Sequence, residues 1–237
     1  MDNASYTTLT RQSGLMREMR VIANNIANSA TSGFRQEGVI FSEYVSDTGN
    51  APSVSMALGN VRNTSQQQGA LTSTGGRFDF AIEGPGFFQI ETPQGARLTR
   101  AGSFTPNAEG ELVTHAGYRV LDIGGAPIFI PPDASDMSVG NDGTISSDGR
   151  PLAQLGILAP ADGTQLTRED GVMFRAEGEL EPAAQFSVLQ GFLESSNVNP
   201  IGQIARMIEV QRAYELGQSF KENESERLKN AITSFFK

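Results

Sequence analysis

Cysteine is absent from the 237 residues, which excludes a disulfide framework, a thiol nucleophile and a cysteine metal site. That silence fits the cytosol and is equally compatible with export. Histidine occurs once, at His115, between Thr114 and Ala116 where a strand gives way to a turn, and a structural role suits it there. Any Ser-His-Asp arrangement would have to use it. Cations are in short supply, 18 Lys and Arg against 27 Asp and Glu for a net charge of −9, so phosphate backbones are repelled and nucleic acid is not an expected partner. No apolar run approaches the length that crosses a bilayer, so membrane insertion is not expected either. Residues 1–10 carry neither a basic stretch nor an apolar core, and a cleavable secretory signal is not visible.

Catalytic signatures are missing in the same way. The chain contains no Gly-x-Ser-x-Gly elbow, no phosphate loop and no His-Glu-x-x-His helix, the local patterns of hydrolases, nucleotide enzymes and zinc sites. Asp79 with Glu83, or Glu109 with Glu111, offers the residue types of a glycosidase, but carboxylates on exposed strands are common. Asn141-Asp142-Gly143 and Asp148-Gly149 resemble a calcium-loop repeat. They lack the ligand positions of an EF-hand and recur too few times for a β-roll, so hairpin turns explain them better. No catalytic residue, cofactor or metal is expected.

The two ends read as amphipathic helices. Leu9, Met16, Met19, Ala23 and Ile26 fall at spacings that line one helix face. Near the other end Ile201, Ile204, Ala205 and Ile208 form a second stripe, which Ala213, Leu216 and Phe220 continue and Leu228, Ile232 and Phe235 resume. Residues 28–33 supply a polar stop with a glycine able to take positive φ. Residues 36–68 are rich in Ser, Asn, Gln and Gly, and read as an extended arm or loose linker with little core of its own.

From Phe78 the apolar period becomes two. Phe78, Phe80 and Ile82 alternate with Asp79, Ala81 and Glu83, and Gly84-Pro85-Gly86 followed by Phe88 and Ile90 reads as a hairpin. Further strands are predicted over residues 97–100, 111–114, 118–122, 128–130, 144–146, 152–158 and 186–192. Asp-Gly pairs at 142–143, 148–149, 162–163 and 170–171 favour tight reversals. The fold class is therefore α+β: terminal helices pairing as a coiled coil, with a central antiparallel β-rich domain. The expected layout is a helix over 1–35, an arm over 36–75, the β-rich domain over 76–193 and the closing helix over 194–237.

Three blocks stand out. The first runs from Ala23 through Asn24, Asn25, Ile26 and Asn28 to Gly33-Phe34-Arg35. Asparagine is a mediocre helix former, so these amides mark either a frayed end or register-fixing bonds to neighbouring chains in a packed bundle. The second is Asp79-Phe80-Ala81-Ile82-Glu83-Gly84-Pro85-Gly86-Phe87-Phe88, followed by Leu98-Thr99-Arg100-Ala101-Gly102-Ser103-Phe104. The third is Glu194-Ser195-Ser196-Asn197-Val198-Asn199, leading to Gln211-Arg212-Ala213-Tyr214-Glu215; Ser195, Ser196, Asn197 or Asn199 is able to cap the following helix.

In this order, over nearly the whole chain, the blocks resemble the axial proteins of the bacterial flagellum, the rod and hook family. The opening Met1-Asp2-Asn3-Ala4-Ser5-Tyr6 and the modest length are similar to the proximal-rod branch more than to the distal-rod branch. Two departures are Ser32, where proline often precedes the Gly-Phe pair, and Gly217, where asparagine is common. The resemblance implies a coiled-coil inner domain stacked helically around a hollow axis, a β-rich domain outside, and export through the flagellar type III apparatus without a cleaved signal. It implies a structural subunit of the periplasmic rod of the basal body, with copies of itself and other rod proteins as partners. Gly14 costs such a helix about 1 kcal/mol relative to alanine, so ordering would wait for neighbours. The expected subunit interface takes Leu9, Met16, Met19, Ala23, Asn24, Asn25, Ile26, Asn28, Gly33 and Phe34 from the first block and its helix. From the third come Ser196, Asn197, Val198, Ile201, Ile204, Ile208, Gln211, Arg212 and Tyr214. The rival readings are a distal-rod or hook subunit of the same family, and a cell-wall glycan hydrolase.

Overall fold

The computed structural model describes residues 2–46, 54–134 and 136–235. Helix α1 (Asp2–Ala27) opens the chain and helix α2 (Pro200–Phe235) closes it. Among the described residues eighteen strands lie between them, and every pairing described between strands is antiparallel. The chain forms two compact units: Met1–Ala27, Gln36–Ser65 and Val198–Lys237 make one, Asn28–Arg35 and Gln66–Asn197 the other.

The helical unit contains a long hairpin, β1 (Glu37–Ser46) and β2 (Val54–Thr64), paired from Glu37 with Thr64 to Ser46 with Val54. The sequence read this stretch as a loose arm. Backbone N–H and C=O groups satisfy each other in a ladder whatever the side chains, so a polar composition conceals the hairpin. α1 lies against both the hairpin and α2. Leu15 and Ile22 of α1 are buried with Val210 of α2, and Met19, Ile26, Met207, Ala213 and Tyr214 close around them. The inward stripe of α1 is thus Leu15 and Ile22, buried, with Met19 and Ile26, half-buried, rotated from the expected one. Met19 and Ile26 lie on it, whereas Leu9, Met16 and Ala23 are exposed. Leu228 and Phe235, placed on the C-terminal stripe from the sequence, have side chains outside the described residues.

α2 starts on Asn199, whose Oδ1 accepts the Gly202 N–H at 3.2 Å, with Pro200 at the first helical position where its missing N–H is harmless. Asn199, one of the four predicted caps, takes that role.

The β-rich unit begins with β3 (Leu71–Ser73), β4 (Phe80–Glu83), β5 (Phe87–Thr92), β6 (Gly95–Thr99), β7 (Phe104–Pro106), β8 (Leu112–Thr114) and β9 (Arg119–Val120). It continues with β10 (Met137–Val139), β11 (Thr144–Ser147), β12 (Arg150–Gln154), β13 (Ile157–Pro160) and β14 (Gln165–Asp170). It ends with β15 (Met173–Glu177), β16 (Leu180–Pro182), β17 (Ser187–Gln190) and β18 (Phe192–Glu194). The main sheet runs β14-β15-β6-β5-β9-β8-β7, with β13 joining β5 and β16. β10-β11-β12 form a second sheet, and the late strands return to the early ones as β17-β4 and β18-β3.

Phe80, Ile82, Phe88, Ile90, Leu112, Ile128, Ile145, Leu155 and Val188 share one core. On the opposite face of β5, Phe87 packs with Leu98 and Phe174, as the two-residue alternation of a strand requires. Three Asp-Gly pairs join paired strands, β10 to β11, β11 to β12 and β14 to β15. The fourth, Asp162-Gly163, turns between β13 and β14, which pair elsewhere.

Two expectations need correcting. Gly84-Pro85-Gly86 does not close a hairpin: β4 pairs with β17 and β5 with β6, β9 and β13. The tripeptide carries the chain between two sheets whose inner faces feed one core, so its flanking phenylalanines look like hairpin partners in sequence. The predicted strand over 128–130 keeps only an isolated bridge between Phe129 and Glu111, and 152–158 is divided between β12 and β13.

Candidate functional site: a buried Arg-Glu-Arg node and an open helix ridge

The three blocks meet at one carboxylate. Glu194, 1% exposed, receives Arg35 Nη2 on Oε1 at 3.0 Å and Arg100 Nη1 on Oε2 at 3.1 Å. Its Oε1 also accepts the Gly69 N–H at 3.1 Å, and its backbone carbonyl accepts the Gly33 N–H at 2.7 Å. Arg35 Nη1 donates to the carbonyls of Gln66 and Gln67, at 2.5 and 2.8 Å. Arg100 donates to Ile82 O at 3.1 Å and Gly84 O at 2.6 Å. Two cations face one anion, and four backbone carbonyls screen the surplus charge.

Burial dominates the electrostatics. It pushes the Arg100 guanidinium down to about 10, against the opposing pull of Glu194 and with a further push from Arg35. Arg35 is lowered for the same first reason. At about 10, Arg100 remains a cation at neutral pH. Arg35 Nε and Arg100 Nε are buried with no hydrogen-bond partner among the described residues, and leaving a buried donor unpaired costs stability.

The backbone is shaped to let these groups meet. Gly33 has φ +73°, and a Cβ there would lie 2.3 Å from the Ala101 nitrogen. At Gly69 a Cβ would lie 1.8 Å from Ser195 O. Neither site has room for a side chain. Phe34 is fully buried beside them; the Arg168 guanidinium sits 4.3 Å from its ring centroid and 4.7 Å from that of Phe174, and Arg168 Nη2 donates to the Arg35 carbonyl. Asn197 closes the arrangement, its N–H on Phe34 O at 3.3 Å and its Nδ2 on Gln67 O at 2.6 Å.

In the helical unit Asn25 is buried. Its Nδ2 donates to Glu37 O at 2.7 Å and to Gln203 Oε1 at 3.1 Å, and its Oδ1 accepts the Glu37 N–H at 3.0 Å. Asn25, Gly33, Phe34 and Val198, expected at the subunit interface, are therefore internal, because their polar and apolar demands are met within the chain. Met19, Ile26, Asn28, Ser196, Asn197 and Tyr214 are half-buried. Leu9, Met16, Ala23, Asn24, Gln211 and Arg212 are exposed, as are Ile201 at 78%, Ile204 at 50% and Ile208 at 44%. Leu216 and Phe220 extend this apolar exposure along α2.

Asp79, Glu111 and His115, among the suspected catalytic groups, have structural occupations. Asp79 Oδ2 accepts from Thr74 Oγ1 at 2.6 Å, Glu111 pairs with Arg119 at 3.1 Å, and His115 Nε2 lies 3.3 Å from Ser103 Oγ on the surface. Asp142 accepts from Thr144 N and Oγ1, and the backbone bond first, then the hydroxyl, holds its carboxyl below the usual range. That is turn chemistry. No cluster with metal-ligating composition occurs among the described residues, and none of the described helices is long and apolar enough to cross a membrane.

Sequence reasoning quoted Arg35, Arg100 and Glu194 inside its blocks without assigning them a role. The available signal was a charged residue embedded in each apolar or glycine-rich run. A β body with a closed core, joined to helices that expose large apolar side chains, has the character of a subunit that associates with others.

Comparison with known proteins makes the class specific. Residues 81–147 match the D1 domain of the flagellar hook protein FlgE/F/G family, and residues 189–233 match the C-terminal region of the flagellar basal body rod FlgEFG proteins. The flagellar basal-body rod protein FlgF of Caulobacter vibrioides is 39% identical over 98% of this chain and 97% of its own length. FlgF of Rhizobium meliloti is 39% identical over 91% of this chain and 90% of its own. The flagellar basal-body rod protein FlgG of Bacillus subtilis is 34% identical over 89% of this chain and 90% of its own. This chain belongs to the flagellar basal-body rod protein family.

Proposed function

We propose that the chain is a structural subunit of the rod of the bacterial flagellar basal body, of the FlgF type, and not an enzyme. The near end-to-end match to FlgF relatives carries this reading. The exposed isoleucines of α2 support it physically: each large aliphatic side chain is worth roughly 1.5–3 kcal/mol when fully covered, so a helix left apolar outside its own seam favours association.

The spacing of Leu15, Met19, Ile22 and Ile26 against Met207, Val210 and Tyr214 is the three-four repeat of a coiled coil, which is how we read the helix pair. The subunit interface is then Leu9, Met16, Ala23 and Asn24 of α1 with Ile201, Ile204, Ile208, Gln211 and Arg212 of α2. Copies of the chain and other rod proteins, at the proximal end of the periplasmic rod, are the partners. Delivery is through the flagellar type III export apparatus.

The deciding experiment locates the tagged protein in isolated basal bodies and compares wild type with Ile204→Asp. Wild type is expected in the rod fraction, and the variant is expected to fold but to be missing from it. Ile204→Asp cells with normal motility and a labelled rod would overturn the interface. Wild-type protein absent from basal bodies would overturn the function.

A further inference from the structure

The chain passes between its two units at 27/28, 35/36, 65/66 and 197/198. Three of these passages border the buried node: Arg35 precedes the second, Gly69 follows the third by four residues, and Glu194 precedes the fourth by four. We propose that Glu194 is a positioning residue for assembly, its buried carboxylate fixing where the chain enters and leaves the β-rich unit. The proposal rests on the rod-subunit reading and adds a residue that lies on no exposed ridge.

The chemistry favours position over strength. A desolvated Arg-Glu-Arg cluster is often no more stable than apolar side chains of similar volume, because desolvation offsets the Coulomb gain. What it supplies is selectivity. One carboxylate reaches two guanidiniums and the Gly69 amide in only one arrangement of the segments that carry them, while apolar residues tolerate small slides. The two guanidinium nitrogens without acceptors among the described residues fit a network held for geometry. Backbone links reinforce it, since Gly33 donates to the Glu194 carbonyl and Asn197 to Phe34 and Gln67. The segments around residues 33–35, 66–69 and 194–197 thus hold one another through a single charge.

The full-length protein tests this with two variants. Glu194→Gln keeps the shape but removes the charge; the Gly69 and Gly33 amides are expected to exchange hydrogen at least tenfold faster, with Ile90 in β5 unchanged. Incorporation into basal bodies is expected to fall at least tenfold. A triple variant, Arg35→Met, Glu194→Leu and Arg100→Met, is expected to melt within about 5 °C of wild type while showing the same loss of incorporation. A triple variant that enters rods as wild type does would overturn the proposal, because the node would then add only stability. So would exchange that quickens equally at Ile90, which would make the node part of the general core. If wild-type protein is itself missing from basal bodies, the rod reading fails, and the exchange measurement still decides whether Glu194 orders these segments.

Discussion

The β-rich unit and the helical unit treat their apolar residues in opposite ways. In the first, Phe80, Phe88, Ile90, Leu112 and Ile145 are sealed in one core. In the second, three buried residues form the seam, while Ile201, Ile204, Leu216 and Phe220 are exposed. A core completed within one chain folds as a unit. A helix pair with a thin seam and apolar outer faces gains most of its order from whatever covers it. The same chain therefore carries a part whose core is closed within the chain and a part that leaves large apolar side chains exposed.

The largest expected effect belongs to the part with the closed core. Phe88→Ala should cost about 3–5 kcal/mol, through lost transfer energy and the cavity left beside Phe104, read as a lower melting temperature of the β-rich unit; a change below about 1 kcal/mol would mean that this core is not tightly packed. Asn25→Ala comes next. It leaves the Glu37 N–H and C=O without their side-chain partner and should cost about 1–3 kcal/mol, visible as faster exchange at Glu37 with the β strands untouched.

Gly217→Ala should act in the other direction. The added Cβ would sit 3.4 Å from Gln12 Nε2, an ordinary contact, and replacing a helical glycine is worth about 1 kcal/mol, so helix content should survive to higher temperature. The smallest change in monomer stability, within about 0.5 kcal/mol, is expected for Ile204→Asp, although it is the variant that should abolish incorporation. A large destabilisation of the monomer by Ile204→Asp would erase the contrast between the two units.

Much of the β-rich unit was legible because strands announce themselves by alternation and turns by Asp-Gly pairs. What escaped was pairing. β4 finds β17 across more than a hundred residues, and no local pattern encodes that partner. The hairpin of β1 and β2 escaped for a different reason, since backbone ladders form without an apolar code. In the helices the period was readable but the phase was not. Met16 and Leu15 are adjacent and both apolar, and choosing between stripes depends on which neighbour is present. The interface residues divided on the same ground: Asn25 and Phe34 looked available because a sequence does not reveal that Glu37 and Arg168 already occupy them.

By itself the sequence determined the class of the molecule: helices at both ends, an antiparallel β body between them, and blocks whose order marks the rod family. The helices and the β body follow from local periodicity and composition, which act over a few residues, whereas the family follows from the resemblance of the blocks. Only the tertiary structure decided that Arg35, Arg100 and Glu194 belong together. They lie far apart along the chain, and a buried charge finds its partner through the geometry of the whole fold, not through spacing in sequence.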